Sequence, residues 1–246
     1  MDLATLQKIS TQILSREVPT YKRYLYSKID FNSKLIGIKG ARGAGKSTIL
    51  LQYAKSLELP NSKILYVSCD HPAMSGESLY DIAEAFYARG GKLFVIDEIH
   101  KNEHFSKDLK AIYDVFELQV LFSGSSALQI ENSLADLSRR AVIHTLGVLS
   151  LREFCELQTK QTFQSYTLEE ILQNHEDIVF EIKKQIQPLE LFNDYLQFGC
   201  YPFYQESLSD YPIKLLEVIN LTIDSDLCGI YNIDPSKLDK LKKIIY

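Results

Sequence analysis

Nine consecutive residues hold the most specific chemistry in this chain: Gly40, Ala41, Arg42, Gly43, Ala44, Gly45, Lys46, Ser47 and Thr48. They fit G-x-x-x-x-G-K-[ST], the spacing of a phosphate-binding loop. Gly40, Gly43 and Gly45 allow a tight turn whose backbone N–H groups face an anion. Lys46 brings a positive charge to the β- and γ-phosphates of a nucleotide, and the Ser47 hydroxyl is a ligand for Mg²⁺. The flanks supply the context the motif needs. Residues 34–39 read as a short buried strand, and 48–57 read as a helix that stops before Pro60, so the loop opens onto a helix N-terminus.

A second constellation follows at Asp97 and Glu98, at the end of the strand read over 92–97. An aspartate at the carboxyl end of a strand can hold the Mg²⁺ shell, usually through water, and the glutamate after it is placed to polarise an attacking water. Ser125 or Ser126, after the strand read over 119–123, offers a hydroxyl to a γ-phosphate, and Ser125 is the choice taken here; the other serine suits a helix N-cap. Arg139 and Arg140, just before a fifth apolar run, occupy the position of an arginine finger, with a surface ion pair as the alternative. Asp97-Glu98-Ile99-His100 also reads D-E-x-H, which suggests a helicase. Such enzymes complete their site with a second domain of similar size, for which the residues after Ser150 are too few and too helical, so His100 reads as a loop residue. His71, His104, His144 and His175 show no metal-ligand spacing.

The elements that must position these residues alternate. Leu6, Ile9 and Ile13 share a face of an N-terminal helix over 3–14. The aromatic segment Tyr21–Tyr26 either borders a nucleotide base or packs in the core. Strands are expected at 34–39, 63–68, 92–97, 119–123 and 141–146, with amphipathic helices marked by Leu79, Ile82, Ala83 and Phe86 and by Phe105, Leu109, Ile112 and Phe116. Alternation of this kind predicts a parallel sheet covered on both faces. Past Ser150 only helix signals remain, among them capping boxes at Ser150/Glu153 and Thr167/Glu170. A last helix opens at Asp234-Pro235 and runs from Leu238 to Tyr246 without a stop signal. The domain boundary is therefore expected near residue 148.

The chain has 246 residues, 46% hydrophobic and 24% charged, in the range of a globular protein. Its net charge of −5 gives no general attraction to nucleic acid, and residues 150–246 present no basic face. Cys69, Cys155, Cys200 and Cys228 lie far apart, which suits reduced thiols in a cytoplasmic protein rather than a zinc site. The N-terminus lacks a basic and apolar leader, and no apolar run reaches the length of a membrane span.

Taken together, Gly40–Thr48, Asp97–Lys101, Ser123–Ser126, Leu137–Arg140, Leu149–Phe154 and Phe198–Pro202 resemble a large prokaryotic family of AAA-type ATPases that carry a C-terminal domain known as DUF4143. The resemblance spans nearly the whole chain. Arg42 matches the family's G-x-R-x-x-G-K-[ST]. The family's Gly-Arg before the fifth strand stands here as Ser138-Arg139-Arg140, so the finger is Arg139 or Arg140. The family's Gly-Gly-Tyr-Pro stands as Gly199-Cys200-Tyr201-Pro202, and its winged-helix region has no counterpart. The resemblance implies ATP as the nucleotide, a choice the loop alone does not make.

The expected protein is a P-loop ATPase core over 1–148 with sheet order 5-1-4-3-2, followed by a helical lid over 149–246. Lys46 and the loop bind ATP, Ser47 and Asp97 hold Mg²⁺, Glu98 positions water and Ser125 senses the γ-phosphate. Arg139 or Arg140 completes a site, on a neighbouring copy if the protein is a homo-oligomer. The alternative is a switch that binds ATP with negligible turnover and holds a protein or DNA partner. The chain is expected to be shorter than its functional form.

Overall fold

The computed structural model describes residues 2–125, 137, 139–227, 240, 242 and 243. Ser126, Ser138, Cys228 and most of the helix expected from Asp234 lie outside them. Helix α1 (Leu3–Leu14) leads into a short α2 (Tyr24–Lys28), then β1 (Leu35–Gly40), α3 (Lys46–Ser56), β2 (Ile64–Ser68), α4 (Leu79–Ala88), β3 (Leu93–Asp97), α5 (Phe105–Val115), β4 (Gln119–Ser125) and β5 (Val142–Leu146). The five strands form one sheet in the order β2-β3-β4-β1-β5, which is the expected order. Every pairing is parallel.

The strands are apolar throughout because both faces are covered. Phe94 and Ile96 face a core built with α4 and α5, through Leu79, Ile82, Phe86, Leu109 and Ile112. Val95 and Leu121 face the other core, with Ile36, Ile38 and, from α3, Ile49 and Leu50. Parallel register brings every carboxyl end to one edge: Gly40 lies opposite Ser125 and Leu146, and Ser68 opposite Asp97. That edge carries the phosphate loop, Asp97 and Ser125.

α1 differs from the purely apolar face expected for it. It buries Leu3, Leu6, Ser10 and Leu14. Ser10 sits there because β2 is an edge strand with unpaired backbone groups. The Tyr66 N–H donates to Ser10 Oγ at 2.8 Å, and Gln7 Nε2 donates to the Ile64 carbonyl at 3.0 Å. The helix caps the sheet edge with polar atoms as well as covering it with leucines.

One compact unit takes the residues up to Leu146 together with the described residues from Leu215 on, and a second takes Gly147–Lys214. The second unit is helical, with α6 (Leu151–Thr159), α7 (Leu168–Gln185) and α8 (Pro188–Phe198). Both capping boxes form: Glu153 N–H donates to Ser150 Oγ at 3.2 Å and Glu170 N–H to Thr167 Oγ1 at 3.2 Å, while each glutamate accepts from the cap's backbone N–H. Phe154 is fully buried between Tyr195 and Tyr204, with ring centroids 5.6 and 5.0 Å away. α9 (Tyr211–Leu221) follows. No helix among the described residues is long and apolar enough to cross a membrane.

Candidate functional site

The loop from Gly40 to Lys46 turns where its glycines permit. Gly43 (φ 79°) and Gly45 (φ 99°) are left-handed, a conformation that a side chain strongly disfavours. Gly40 has a different reason. It still belongs to β1, and a Cβ there would lie 2.3 Å from the Leu146 carbonyl oxygen of β5. Close approach of the neighbouring backbone, rather than turn geometry, requires this glycine. Gly45 is the N-cap of α3, so the helix N-terminus opens directly on the loop.

Lys46 is 4% exposed, and its ammonium donates to the carbonyls of Gly40 at 3.1 Å and Ala41 at 3.0 Å. The Ala44 N–H closes the turn on the Ala41 carbonyl at 3.2 Å. From outside, Arg23 Nη1 donates to the Ala44 carbonyl at 2.6 Å. Arg23 is itself held by an arm lying along α3, where Gln52 Nε2 donates to the Pro19 and Tyr21 carbonyls, each at 2.8 Å. In the same arm Tyr26 packs on Phe31 (5.1 Å), which stacks on Tyr53 (4.0 Å), so that aromatic ring has a core role.

Asp97 ends β3 at 7% exposure. Its Oδ1 accepts from the Ser123 hydroxyl and from the Glu98 N–H at 3.1 Å, and its Oδ2 accepts from the Tyr66 hydroxyl at 2.7 Å. Burial and the adjacent Asp97 carboxylate hold the Tyr66 phenol well above the usual tyrosine range, so it remains a donor. Cys69 follows β2, and burial, with Asp97 and Glu98 nearby, pushes its thiol up to about 12, so it stays protonated beside the site.

Glu98 leaves the strand in a left-handed conformation, φ 51° and ψ 44°, which turns it away from the strand direction. Burial raises its carboxyl above the ordinary glutamate range; Lys46 pulls it back, Asp97 raises it further and Arg42 lowers it. The carboxylate therefore shares a field with the loop's cations. His100 lies half-buried next to it, with Nδ1 3.4 Å from Glu98 Oε2 and 3.4 Å from the Ser125 nitrogen. His100 lies in the turn between β3 and α5, the loop position read for it, and its ring also accepts from the Ser125 N–H at the end of β4. Ser125 is 5% exposed, and its hydroxyl has no hydrogen-bond partner among the described residues.

The arginines sit elsewhere. Val142 pairs with Ile36, so residues before Val142 lie at the sheet's amino edge, whereas the loop leaves from Gly40 at the carboxyl edge. A strand of this length separates the two edges by about 17 Å at ~3.3 Å per residue. Arg140 makes a two-pronged ion pair with Asp114 at the end of α5, Nε to Oδ1 and Nη2 to Oδ2, both at 2.9 Å. Arg139 is exposed. The fold therefore brings Lys46, Ser47, Asp97, Glu98 and Ser125 to one edge and leaves Arg139 and Arg140 at the other.

A family model described as an AAA domain matches residues 32–155, from just before β1 into α6. The chain belongs to the AAA-domain family. The match does not extend to the DUF4143 part of the resemblance. Among curated relatives, the uncharacterized protein MJ1637 of Methanocaldococcus jannaschii is 30% identical over 258 residues, covering 95% of this chain and 54% of its own. The chain thus spans about half the length of that relative. Solved structures with a similar fold include AMPPCP-bound DnaA from Aquifex aeolicus, at 12% identity, a TM-score of 0.35, and coverage of 72% of this chain and 59% of that one. PCH-2 from C. elegans is another, at 14% identity, a TM-score of 0.39, and coverage of 64% and 45%.

Arg23, Tyr66 and Ser123 each bond to a residue of the candidate site, and sequence reasoning assigned none of them that part. Ser123 and Tyr66 had a weak signal, each being a hydroxyl inside an apolar strand. Arg23 had none, because its partner Ala44 lies 21 residues away.

Proposed function

We propose that this AAA domain binds ATP with Mg²⁺ and hydrolyses it to ADP and phosphate. The observation that carries the reading is Glu98: a half-buried carboxylate at a strand's carboxyl end, in the electrostatic field of Lys46 and Arg42 and adjacent to Asp97. Hard oxygen donors suit Mg²⁺, and the Asp97 carboxylate and the Ser47 hydroxyl are such donors at the edge where the loop sits. When bound, Mg²⁺ supplies charge neutralisation on the phosphates. The chain's own residues do the rest in this reading. Lys46 exchanges its bonds to the Gly40 and Ala41 carbonyls for phosphate oxygens. The loop N–H groups donate to the β-phosphate oxygens, with Arg23 steadying the loop from behind. Ser125 turns its unspent hydroxyl to the γ-phosphate, and Glu98 orients water and takes its proton. Among the described residues Cys69, Cys155 and Cys200 form no disulfide, which fits a cytoplasmic setting, and the helical lid read over 149–246 includes most of the unit Gly147–Lys214.

The position of Arg139 and Arg140 favours catalysis between copies, since neither reaches the site of its own chain. Phosphate release per subunit should then climb with protein concentration. A finger is worth about 10³–10⁵ in rate, so Arg139→Ala or Arg140→Ala should retain nucleotide affinity and lose the concentration-dependent turnover. Parent rates in both variants would place any finger elsewhere. The same geometry gives the alternative its support: a chain that never assembles lacks the finger and acts as an ATP-dependent switch. A turnover near zero at every concentration would select it. ATP over GTP follows the family likeness, and equal affinities in a competition assay would refute it.

A further inference from the structure

We infer that Tyr66 is a positioning residue that holds the Asp97 carboxylate so that it meets a divalent cation through Oδ2 alone. An ionised carboxylate offers about four lone-pair sites. Oδ1 receives two donors, the Ser123 hydroxyl and the Glu98 N–H, and Oδ2 receives one, the Tyr66 hydroxyl. Oδ1 is filled, and one lone pair of Oδ2 remains. Asp97 therefore meets a cation, directly or through a metal-bound water, by a single oxygen, and two-oxygen chelation is closed to it.

Tyr66 can enforce this because it is held on every side. It is 3% exposed within the core that includes Val95, Ile38 and Ala44. Its N–H is fixed to Ser10 of α1, the helix that covers the β2 edge. The Ser47 side chain neighbours the same hydroxyl. One phenol thus lies beside both side chains assigned to the cation. The terminal torsion of aspartate has a broad, two-fold profile, so a carboxylate released from Tyr66 can turn. Partners one step removed from a metal typically change its affinity by about 10–100-fold when deleted.

The inference rests on Asp97 and Ser47 holding the cation, and the test separates the two. Binding of a labelled ATP is measured with and without Mg²⁺ in the parent and in Tyr66→Phe. The expected result is a Mg²⁺ half-saturation raised by about 10–100-fold in the variant, with affinity for the metal-free nucleotide nearly unmoved. A merely structural tyrosine would shift both together or neither. A parent indifferent to Mg²⁺ would overturn the metal reading, and this inference with it. A Mg²⁺-responsive parent whose Tyr66→Phe form responds at the same concentration would overturn this inference alone. Should Tyr66→Phe fail to fold, 3-fluorotyrosine placed at position 66 reports directly. Its fluorine resonance should move when Mg²⁺ is added to the nucleotide-bound protein, and an unchanged resonance would count against the proposal.

Discussion

Glu98→Gln should bind Mg·ATP at least as tightly as the parent and turn it over about 10²–10⁴ times more slowly, the usual worth of general-base assistance. The substitution keeps length and shape. It also keeps the backbone, because glutamine meets the left-handed φ of 51° at this position on the same terms as glutamate. What it removes is a half-buried negative charge whose ionised form burial already disfavours. The folded state loses a desolvation penalty, so thermal stability should hold or rise. The nucleotide phosphates lose a repulsive neighbour, so affinity should hold or rise as well. Asp97 keeps its three donors, since the Glu98 contribution to that set is a backbone N–H. The ATP-bound state should accumulate, and assemblies that depend on it should become easier to isolate. Single-turnover phosphate release beside equilibrium nucleotide binding gives the answer. Parent-like hydrolysis would make Glu98 an ordinary strand-end carboxylate and bring the switch reading forward.

The legible parts of this site were the local ones. A left-handed glycine requirement, a lysine and a hydroxyl at fixed spacing, and an acidic pair closing an apolar run can all be written within a few residues, and the strand–helix alternation fixed which edge they share. The parts that escaped act across the chain. Tyr66 reaches Asp97 over 31 positions, Ser123 over 26, and Ser10 reaches Tyr66 over 56. No periodicity encodes such a pair. In a strand buried on both faces the local pattern reads simply as apolar, and a tyrosine or serine in it looks like packing until the neighbouring strand is in register. Gly40 shows the same limit at one residue. Its place in the motif was legible, but the reason, the carbonyl of Leu146 on β5, is a contact between strands. Arg140 had two readings from sequence. Its pairing with Asp114 depends on α5 ending at the sheet's amino edge, which only the fold supplies.

Lys46→Ala should fail one step earlier than Glu98→Gln, at binding itself. The lysine is nearly sealed from solvent, and among its contacts its ammonium donates to the neutral carbonyls of Gly40 and Ala41. Phosphate oxygens are charged acceptors and make stronger bonds than carbonyls do. The ammonium therefore gains on exchange, and that gain is lost in the variant. Hydrogen bonds to charged groups contribute about 1.5–3 kcal/mol each, so two of them are worth about 10²–10⁴ in affinity. The fold should suffer less. The turn is set by Gly43 and Gly45 and by the Arg23 bond to Ala44, none of which the change touches, and the two freed carbonyls face a site that must admit a solvated ligand. With no Trp in the chain, a labelled nucleotide is the reporter of choice. Lys46→Arg sharpens the test. It restores the charge, but the planar guanidinium replaces a compact ammonium in a space already bounded by the loop, so recovery should be partial at best. Full affinity in Lys46→Ala would mean that phosphates do not sit in this loop. Loss of affinity together with a collapsed thermal transition would instead mark Lys46 as a structural cation of the turn. The expected pairing is specific: Lys46→Ala folded and empty, Glu98→Gln folded and filled.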